Sequence, residues 1–272
     1  MTSADDLLRR LATDTRPCLR LLPSQHLSTT YLGGAPELPA GMDWPQWFDA
    51  PMSFLAQIDL SAASRVGSWP DWMPREGKLL FFYNAEQSTW GFDPNDRGSW
   101  AVLHVAPDTP CATRLPPQQL SVSNSFVRVY LAISEVACDP SFERIGGYAA
   151  RLDDADFERV NDAIEARENA SRAMGPLHWL FGWPAPVQND TMELDCQLAS
   201  NGVDVGGRDA YRSPEAKALA DGARDWELLF QLDTDDDAKM MWGDGGMLYF
   251  WVRRDDAARG DFSNVWMMSQ CS

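Results

Sequence analysis

Four sequence blocks recur in the same order in the two halves of the chain, and this internal similarity constrains the fold more than any other feature. The separation between matching residues drifts only slightly, from 174 residues between Gln57 and Gln231 to 166 between Trp100 and Trp266. The matching blocks are LGGAPELP (32–39) with LFGWPAPVQ (180–188), SFLAQIDL (53–60) with ELLFQLDT (227–234), GKLLFFY (77–83) with GMLYFWV (246–252), and GSWAVLHV (98–105) with NVWMMSQ (264–270). Four blocks in one order predict an internal duplication.

Most of these blocks are typical of β-strands. The runs LLFFY and MLYFW are continuous apolar and aromatic stretches preceded by glycine, as in buried strands. The first matching block carries Gly and Pro in both halves, and these residues favour extended turns before the strands. The sequence therefore predicts a β-dominated α+β fold, with two related halves of mainly antiparallel strands and a few helices.

Three segments have helical features. Leu7, Leu8 and Leu11 share a face near the N-terminus, and Phe157, Val160 and Ile164 are spaced for a helix between the repeats. The third segment, 212–222, has Ser213 as its N-cap. Residues 1–150 are predicted to form an N-terminal repeat with a leading helix. Residues 151–272 would form the bridging helix and the C-terminal repeat, packed against the first as one compact unit.

A cluster of aspartates follows the second QLD motif, and three interpretations stay open. Asp233, Asp235, Asp237 and Asp244 imitate the ligand spacing of a calcium-binding EF-hand loop, although Ala238 occupies the position that requires glycine. A solvated turn is the simpler interpretation, because aspartate readily bonds nearby backbone groups. The third is an acidic contact surface for a partner, formed by Asp235, Asp236, Asp237, Trp242 and Asp244.

Each repeat also carries a polar pair with two-residue spacing, Gln57 with Asp59 and Gln231 with Asp233. Side chains two apart share one face of a strand. A pseudo-twofold arrangement would bring the pairs together between the repeats, where two carboxylates could perform acid–base chemistry or hold a divalent cation. The alternative is that all four side chains bond loop backbone groups.

The net charge of −17 is uneven: residues 1–150 carry −5 and residues 151–272 carry −12. A field of this sign repels phosphate backbones and attracts basic proteins, so we expect no nucleic-acid partner. The sequence has no apolar run long enough to span a membrane and no secretory signal, which predicts a cytoplasmic protein.

The five cysteines are scattered and form no CxxC pair, so neither a zinc site nor a disulfide framework is expected. No GxSxG, HExxH or P-loop motif is present, and we predict no cofactor. An enzyme is therefore the less favoured interpretation, although catalytic groups can assemble in space without a linear motif.

The blocks LGGAPELPAGMDWP, FLAQIDL, LFGWPAPVQND and LLFQLDTDDDAKMMWGDGG together resemble the YwqG-like family of bacterial proteins, a domain of unknown function, from about Leu32 to the C-terminus. The resemblance implies a cytoplasmic bacterial protein with two related halves. It implies no catalytic residues. Some family members are encoded near polymorphic toxin systems, which suggests immunity or partner binding.

Two functional hypotheses follow. The first is an acidic interaction module, such as an immunity-type inhibitor of a basic toxin or effector, which uses the acidic contact surface defined above. The second is an enzyme, or a protein that binds a small ligand or metal, with its site between the two repeats.

Overall fold

The protein is β-dominated with a few helices, and the computed structural model describes residues 2–207 and 209–271. The strands, in chain order, are β1 (Arg16–Pro23), β2 (Tyr31–Leu32), β3 (Glu37–Pro39), β4 (Gln46–Trp47), β5 (Ala50–Pro51), β6 (Ser53–Asp59), β7 (Lys78–Tyr83), β8 (Trp100–Val105), β9 (Cys111–Thr113), β10 (Val129–Cys138), β11 (Trp179–Leu180), β12 (Trp226–Asp233), β13 (Met247–Arg253) and β14 (Trp266–Gln270). The α-helices are α1 (Ala4–Thr13), α2 (Leu60–Ala63), α3 (Asp154–Arg172), α4 (Met192–Ser200), α5 (Pro214–Leu219) and α6 (Arg254–Ala258). Short 3-10 helices cover Pro94–Asp96, Val122–Asn124, Gly147–Ala149, Ala210–Arg212 and Ala220–Asp225.

Ten strands form one antiparallel sheet in the order β14-β13-β12-β11-β1-β10-β2-β6-β7-β8. Its central pair is β1 and β10, whose register runs from Arg16 opposite Cys138 to Pro23 opposite Leu131. Strands β11 to β14 extend the sheet on the β1 side, and β2, β6, β7 and β8 extend it on the β10 side. The two halves of the chain therefore share a single sheet, and the first half meets the second where β1 pairs with β11. Two small sheets, β3–β9 and β4–β5, lie outside it.

The sheet curls until its two edge strands face each other, which makes a nearly closed barrel. Trp100 of β8 and Trp266 of β14 pack edge to face with ring centroids 5.0 Å apart, and the Trp100 indole donates to the Val265 carbonyl. Trp266 donates in turn to the carbonyl of Gly91, which has φ +87°. A Cβ at Gly91 would collide with the Met267 carbonyl, so this approach requires glycine.

The strand predictions are confirmed for six of the eight blocks, which form β6, β7, β8, β12, β13 and β14. The first and last helices predicted are also present: Leu7 and Leu11 are buried in α1, and the Ser213 hydroxyl accepts a bond from Ala216 N at the start of α5. In α3, Val160 and Ile164 are buried against α1, whereas Phe157 is 47 % exposed. Sequence reasoning missed β1, β10 and α4.

Both halves repeat the same local contacts, although common descent of the halves stays a prediction. β6 and β12 each carry one register irregularity, between Phe54 and Ala56 and between Leu228 and Phe230. The division into 1–150 and 151–272 also stays a prediction. Strand β1 belongs to the first range, but it pairs with β11 of the second.

In the described residues no helix has both the length and the apolar character that crossing a membrane requires.

The sequence predicts no disulfide framework, yet the structure contains one disulfide bond that sequence reasoning missed. Cys18 of β1 and Cys138 of β10 are bonded across a sequence separation of 120 residues, on the central strand pair. Spacing rules detect cysteines that are close in sequence, whereas this pair is brought together only by the pairing of two distant strands. Cys111, Cys196 and Cys271 are free.

Candidate functional site

A cavity of about 300 Å³ lies where the two halves meet, and we call it the junction cavity. Residues of the central strands β1 and β10 form one side, and the bridging helix α3 forms another. A third wall is the segment 177–186, which includes β11. The lining is mainly apolar and includes Leu11, Val136, Ile164, Met174, Leu177 and Trp179.

Arg20 lines this cavity and is its one fully buried charged side chain, with 1 % of its surface exposed. Its guanidinium donates to the Ser171 hydroxyl at 2.9 Å, and to the carbonyls of Ser171 and Gly175 at 3.2 and 2.8 Å. The Nε–H group has no hydrogen-bond partner, and no carboxylate of the described residues forms a salt bridge with Arg20. Because burial penalises the cation, the pKa of Arg20 is lowered to about 10, which still leaves the side chain charged at neutral pH.

The other charged groups of the cavity are more exposed. Arg167 of α3 forms an ion pair with Asp139 at 2.5 Å, so these two charges offset each other. Glu168 is exposed on the same helix. Together with Arg20, these are the charged side chains that line the cavity.

The predicted polar pair of the second half holds the third wall of this cavity in place. The Gln231 side chain donates to the Leu177 carbonyl at 2.7 Å and accepts from Ala185 N at 2.8 Å. Asp233 accepts from Leu177 N at 2.8 Å and lies 3.7 Å from Arg172. Gln231 and Asp233 therefore position the wall without lining the cavity themselves.

The first-half pair makes equivalent contacts in its own half. Gln57 donates to the Thr29 carbonyl and accepts from Glu37 N, and Asp59 accepts from the Thr29 hydroxyl and from Ala62 N. No hydrogen bond or ion pair of the described residues joins this pair to Gln231 or Asp233. The structure therefore does not bring the two pairs together, and each bonds mainly the backbone of a neighbouring loop.

The aspartate cluster forms a tight turn around Asp235, which is only 2 % exposed. Its carboxylate accepts from Ala238 N at 2.8 Å and from His178 Nε2 at 3.0 Å. Because Asp233 N donates to His178 Nδ1, the imidazole proton lies on Nε2. Burial raises the pKa of Asp235, but the bonds from His178 and Ala238 outweigh it and hold that pKa below its ordinary value.

Two residues of the predicted acidic contact surface are therefore unavailable for surface contact. Asp235 is bonded inside the turn, and Trp242 is 1 % exposed, with its indole donating to the Asp233 carbonyl. Asp236, Asp237 and Asp244 are exposed, and their role in partner binding stays a prediction.

The calcium alternative gains no support from the turn. Two of its four predicted ligands, Asp233 and Asp235, are buried and bonded to protein groups. Within residues 2–207 and 209–271 no group of three or more His, Cys, Asp or Glu side chains is arranged to hold a metal ion.

Sequence reasoning missed Arg20, although a signal was present. In CLRLLP, Cys18, Arg20 and Leu22 share one face of the strand, because the leucines between them point to the other face. The arginine therefore lies on a strand face whose other residues are apolar. A charged residue in such a pattern indicates a buried cation that needs partners.

A family model matches residues 30–271, nearly the whole chain, and its description is a domain of unknown function (DUF1963). No curated protein matches the sequence. The chain belongs to the DUF1963 family of proteins, a domain of unknown function.

Proposed function

We propose that this protein binds a small molecule in the junction cavity. The observation that carries the proposal is a mainly apolar cavity with one buried, incompletely bonded cation at the meeting of the two halves. Ligand sites in proteins are typically concave, mostly apolar and furnished with a few polar groups, and their volumes begin at about 300 Å³. The cavity has these three properties.

The construction of the walls also supports a binding role. The Gln231 and Asp233 side chains fix the segment that carries Leu177 and Ala185, and the Cys18–Cys138 bond joins the two central strands beside the cavity. Such support keeps a pre-formed site open and lowers the cost of ordering it when a ligand binds.

A neutral apolar fluorophore, N-phenyl-1-naphthylamine, tests this proposal without knowledge of the natural ligand. We expect saturable binding to the wild-type protein, seen as enhanced fluorescence. Ala170→Trp places a large side chain on the face of α3 that lines the cavity and is expected to weaken binding at least tenfold. Ala166→Trp adds the same side chain at an exposed position of α3 outside the cavity lining and is the matched control.

Equal binding by both tryptophan variants would place the dye elsewhere on the protein and contradict the proposal. Absence of binding to the wild-type protein would contradict it as well. Thermal melting of both variants confirms that each remains folded.

A second candidate function, an acidic module that binds a basic protein such as a toxin or effector, is supported by a different surface. Asp236, Asp237 and Asp244 are exposed, as are Met241 of the same turn at 49 % and Trp90 at 60 %. Trp242 follows Met241 in the sequence, and its ring contacts the ring of Tyr83. The Tyr83 hydroxyl donates to the carbonyl of Thr89, which precedes Trp90. Aromatic anchors among charges of one sign are typical of interaction surfaces.

Pull-down from native cells at low and high salt tests this second candidate. A basic partner retained only at low salt would support it. The double variant Asp236→Lys/Asp237→Lys should then lose the partner, whereas Glu158→Lys/Asp162→Lys, an equal charge change on the exposed face of α3, should retain it. Equal retention by both would contradict a specific role for the turn.

This second proposal includes membership of the YwqG-like family and an immunity role. It also includes a cytoplasmic location. The Cys18–Cys138 bond argues against that location, because stable disulfides are rare in reducing compartments. Counting free thiols in unfolded protein taken directly from cells would decide this: five would support a reduced cytoplasmic protein and three an oxidised one.

A further inference from the structure

We propose a second ligand site in the first half of the chain, a polar pocket that binds a small hydroxylated carboxylate through Arg128. The pocket has a volume of about 290 Å³ and lies beside β2 and β10. Its lining includes Ser28, Thr29, Tyr31, Thr113, Arg128 and Tyr130. None of its lining residues lines the junction cavity, so this site does not depend on the binding function proposed there.

The polar pocket is built in the first half as the junction cavity is built in the second. In each half a strand glutamine bonds a carbonyl and an N–H group of the adjacent wall, Gln57 those of Thr29 and Glu37, and Gln231 those of Leu177 and Ala185. All four partners line their respective cavities. The wall residues are apolar in the second half and polar in the first. The same construction therefore offers a polar ligand a site in the first half.

Arg128 directly precedes β10, and a ligand in the polar pocket can reach its guanidinium. The guanidinium carbon lies 4.2 Å from the Tyr31 ring centroid, and Nη2 donates to the Ala35 carbonyl, so two contacts hold the group in place. No hydrogen bond of the described residues uses Nη1. Arg128 is half-buried, and Nη1 is not a buried atom, in contrast to the Nε of Arg20. The two N–H groups of Nη1 therefore stay available to an acceptor.

The charges around the pocket favour a ligand with a single negative charge. Glu37 is the other charged side chain of the lining, and it forms a salt bridge with Lys78. Arg128 forms no salt bridge with a carboxylate of the described residues, so its charge is not offset in the same way. Guanidinium geometry matches a carboxylate closely. The net charge of −17 disfavours ligands with several negative charges.

The hydroxyl groups of the lining favour a ligand that carries hydroxyls of its own. The Thr113 and Tyr130 hydroxyls take part in no hydrogen bond of the described residues, and neither oxygen is buried. The Ser28 hydroxyl accepts from Thr30 N and keeps its proton for donation. A few polar groups of this kind orient a ligand in a pocket, and here they lie beside a cation. A small hydroxylated carboxylate satisfies both.

Gluconate and sorbitol test the proposal, because they share the same hydroxylated carbon chain and differ only in the carboxylate. Isothermal titration calorimetry at low ionic strength measures the binding of each. We expect saturable binding of gluconate to the wild-type protein, about tenfold tighter than that of sorbitol, because hydrogen bonds to charged groups are strong. Arg128→Gln should lose this preference. Arg65→Gln removes the same charge from an exposed position outside the pocket and should keep it.

A pair of tryptophan variants locates the bound gluconate. Thr113→Trp adds a large side chain to the lining at the exposed end of β9 and should weaken gluconate binding about tenfold. Ala112→Trp adds the same side chain at the neighbouring exposed position of β9, outside the lining, and should leave binding unchanged. Thermal melting shows whether each variant remains folded.

Three results would overturn the proposal. They are no saturable binding of gluconate to the wild-type protein, equal affinity for gluconate and sorbitol, and equal binding of gluconate by the two tryptophan variants. An unchanged preference in a folded Arg128→Gln would overturn the role of Arg128. If Arg128→Gln fails to fold, the wild-type comparison and the tryptophan pair decide the matter. Because N-phenyl-1-naphthylamine tests the junction cavity and gluconate tests the polar pocket, each proposal can fail without the other.

Discussion

Replacing Asp195 by asparagine should stabilise the protein at neutral pH. Asp195 lies in α4 with 0 % of its surface exposed, and it accepts bonds from the Tyr211 hydroxyl at 2.8 Å and the Thr191 hydroxyl at 3.0 Å. Burial raises the pKa of this carboxyl from 3.8 to about 6, although both hydroxyl bonds act to lower it. The ionised form is therefore disfavoured in the folded state.

The size of the effect follows from proton linkage. Because the folded pKa is the higher one, the folded state binds the proton more tightly than the unfolded state does. The resulting stability is fully present below about pH 4 and is lost as the pH rises through about 6. A difference between 3.8 and about 6 corresponds to about 3 kcal/mol in the free energy of unfolding.

Asparagine has nearly the same shape and carries no charge, and the hydroxyls of Tyr211 and Thr191 are able to donate or accept. We expect Asp195→Asn to be more stable than wild type by up to about 3 kcal/mol near pH 7. This advantage should shrink towards zero near pH 4, where wild-type Asp195 is protonated in the folded protein. Urea unfolding followed by tryptophan fluorescence at several pH values measures it.

Asp225→Asn is the matched control, because it removes the same charge from an exposed position. It should show little of this pH dependence relative to wild type. The reasoning is refuted if the stability difference between Asp195→Asn and wild type is the same at every pH, or if the control shows an equal trend.

Two further predictions concern the walls of the cavity. Cys138→Ser opens a 120-residue covalent loop and should lower the free energy of unfolding by about 3 to 5 kcal/mol. Cys111→Ser removes a free thiol and should change that free energy little. Equal urea midpoints of the wild-type protein with and without reductant would contradict this prediction. Gln231→Ala removes the bonds to Leu177 O and Ala185 N, so we expect a loss of about 2 kcal/mol in stability and weaker binding of N-phenyl-1-naphthylamine. A stable variant with unchanged dye affinity would show that Gln231 does not position the wall.

Local pattern predicted much of the sheet. The runs LLFFY and MLYFW became the buried strands β7 and β13, because an uninterrupted apolar run bounded by glycine has few alternatives to a strand covered on both faces. Gln57 and Gln231 were identified as repeated polar positions, and the structure places both on strands, bonded to loop backbone.

The candidate site was predicted less well, since its residues are distant in sequence. Arg20, Ile164 and Trp179 come together only after β1, α3 and β11 have packed. Asp235 and Trp242 look like surface residues in a run of acids, yet the turn buries both through bonds to Ala238 and to the Asp233 carbonyl. Composition alone gives no information about which aspartate of a cluster faces inward.

The sequence by itself determined the β-dominated class, six strands and the helices with clear caps, because those depend on neighbours within a few residues. Only the tertiary structure decided that β1 and β10 pair at the centre of one shared sheet, that Cys18 meets Cys138, and that the Arg20 guanidinium bonds Ser171 and Gly175. The physical reason is that these features depend on long-range strand pairing. Their energy comes from contacts between residues more than a hundred positions apart, which no local pattern encodes.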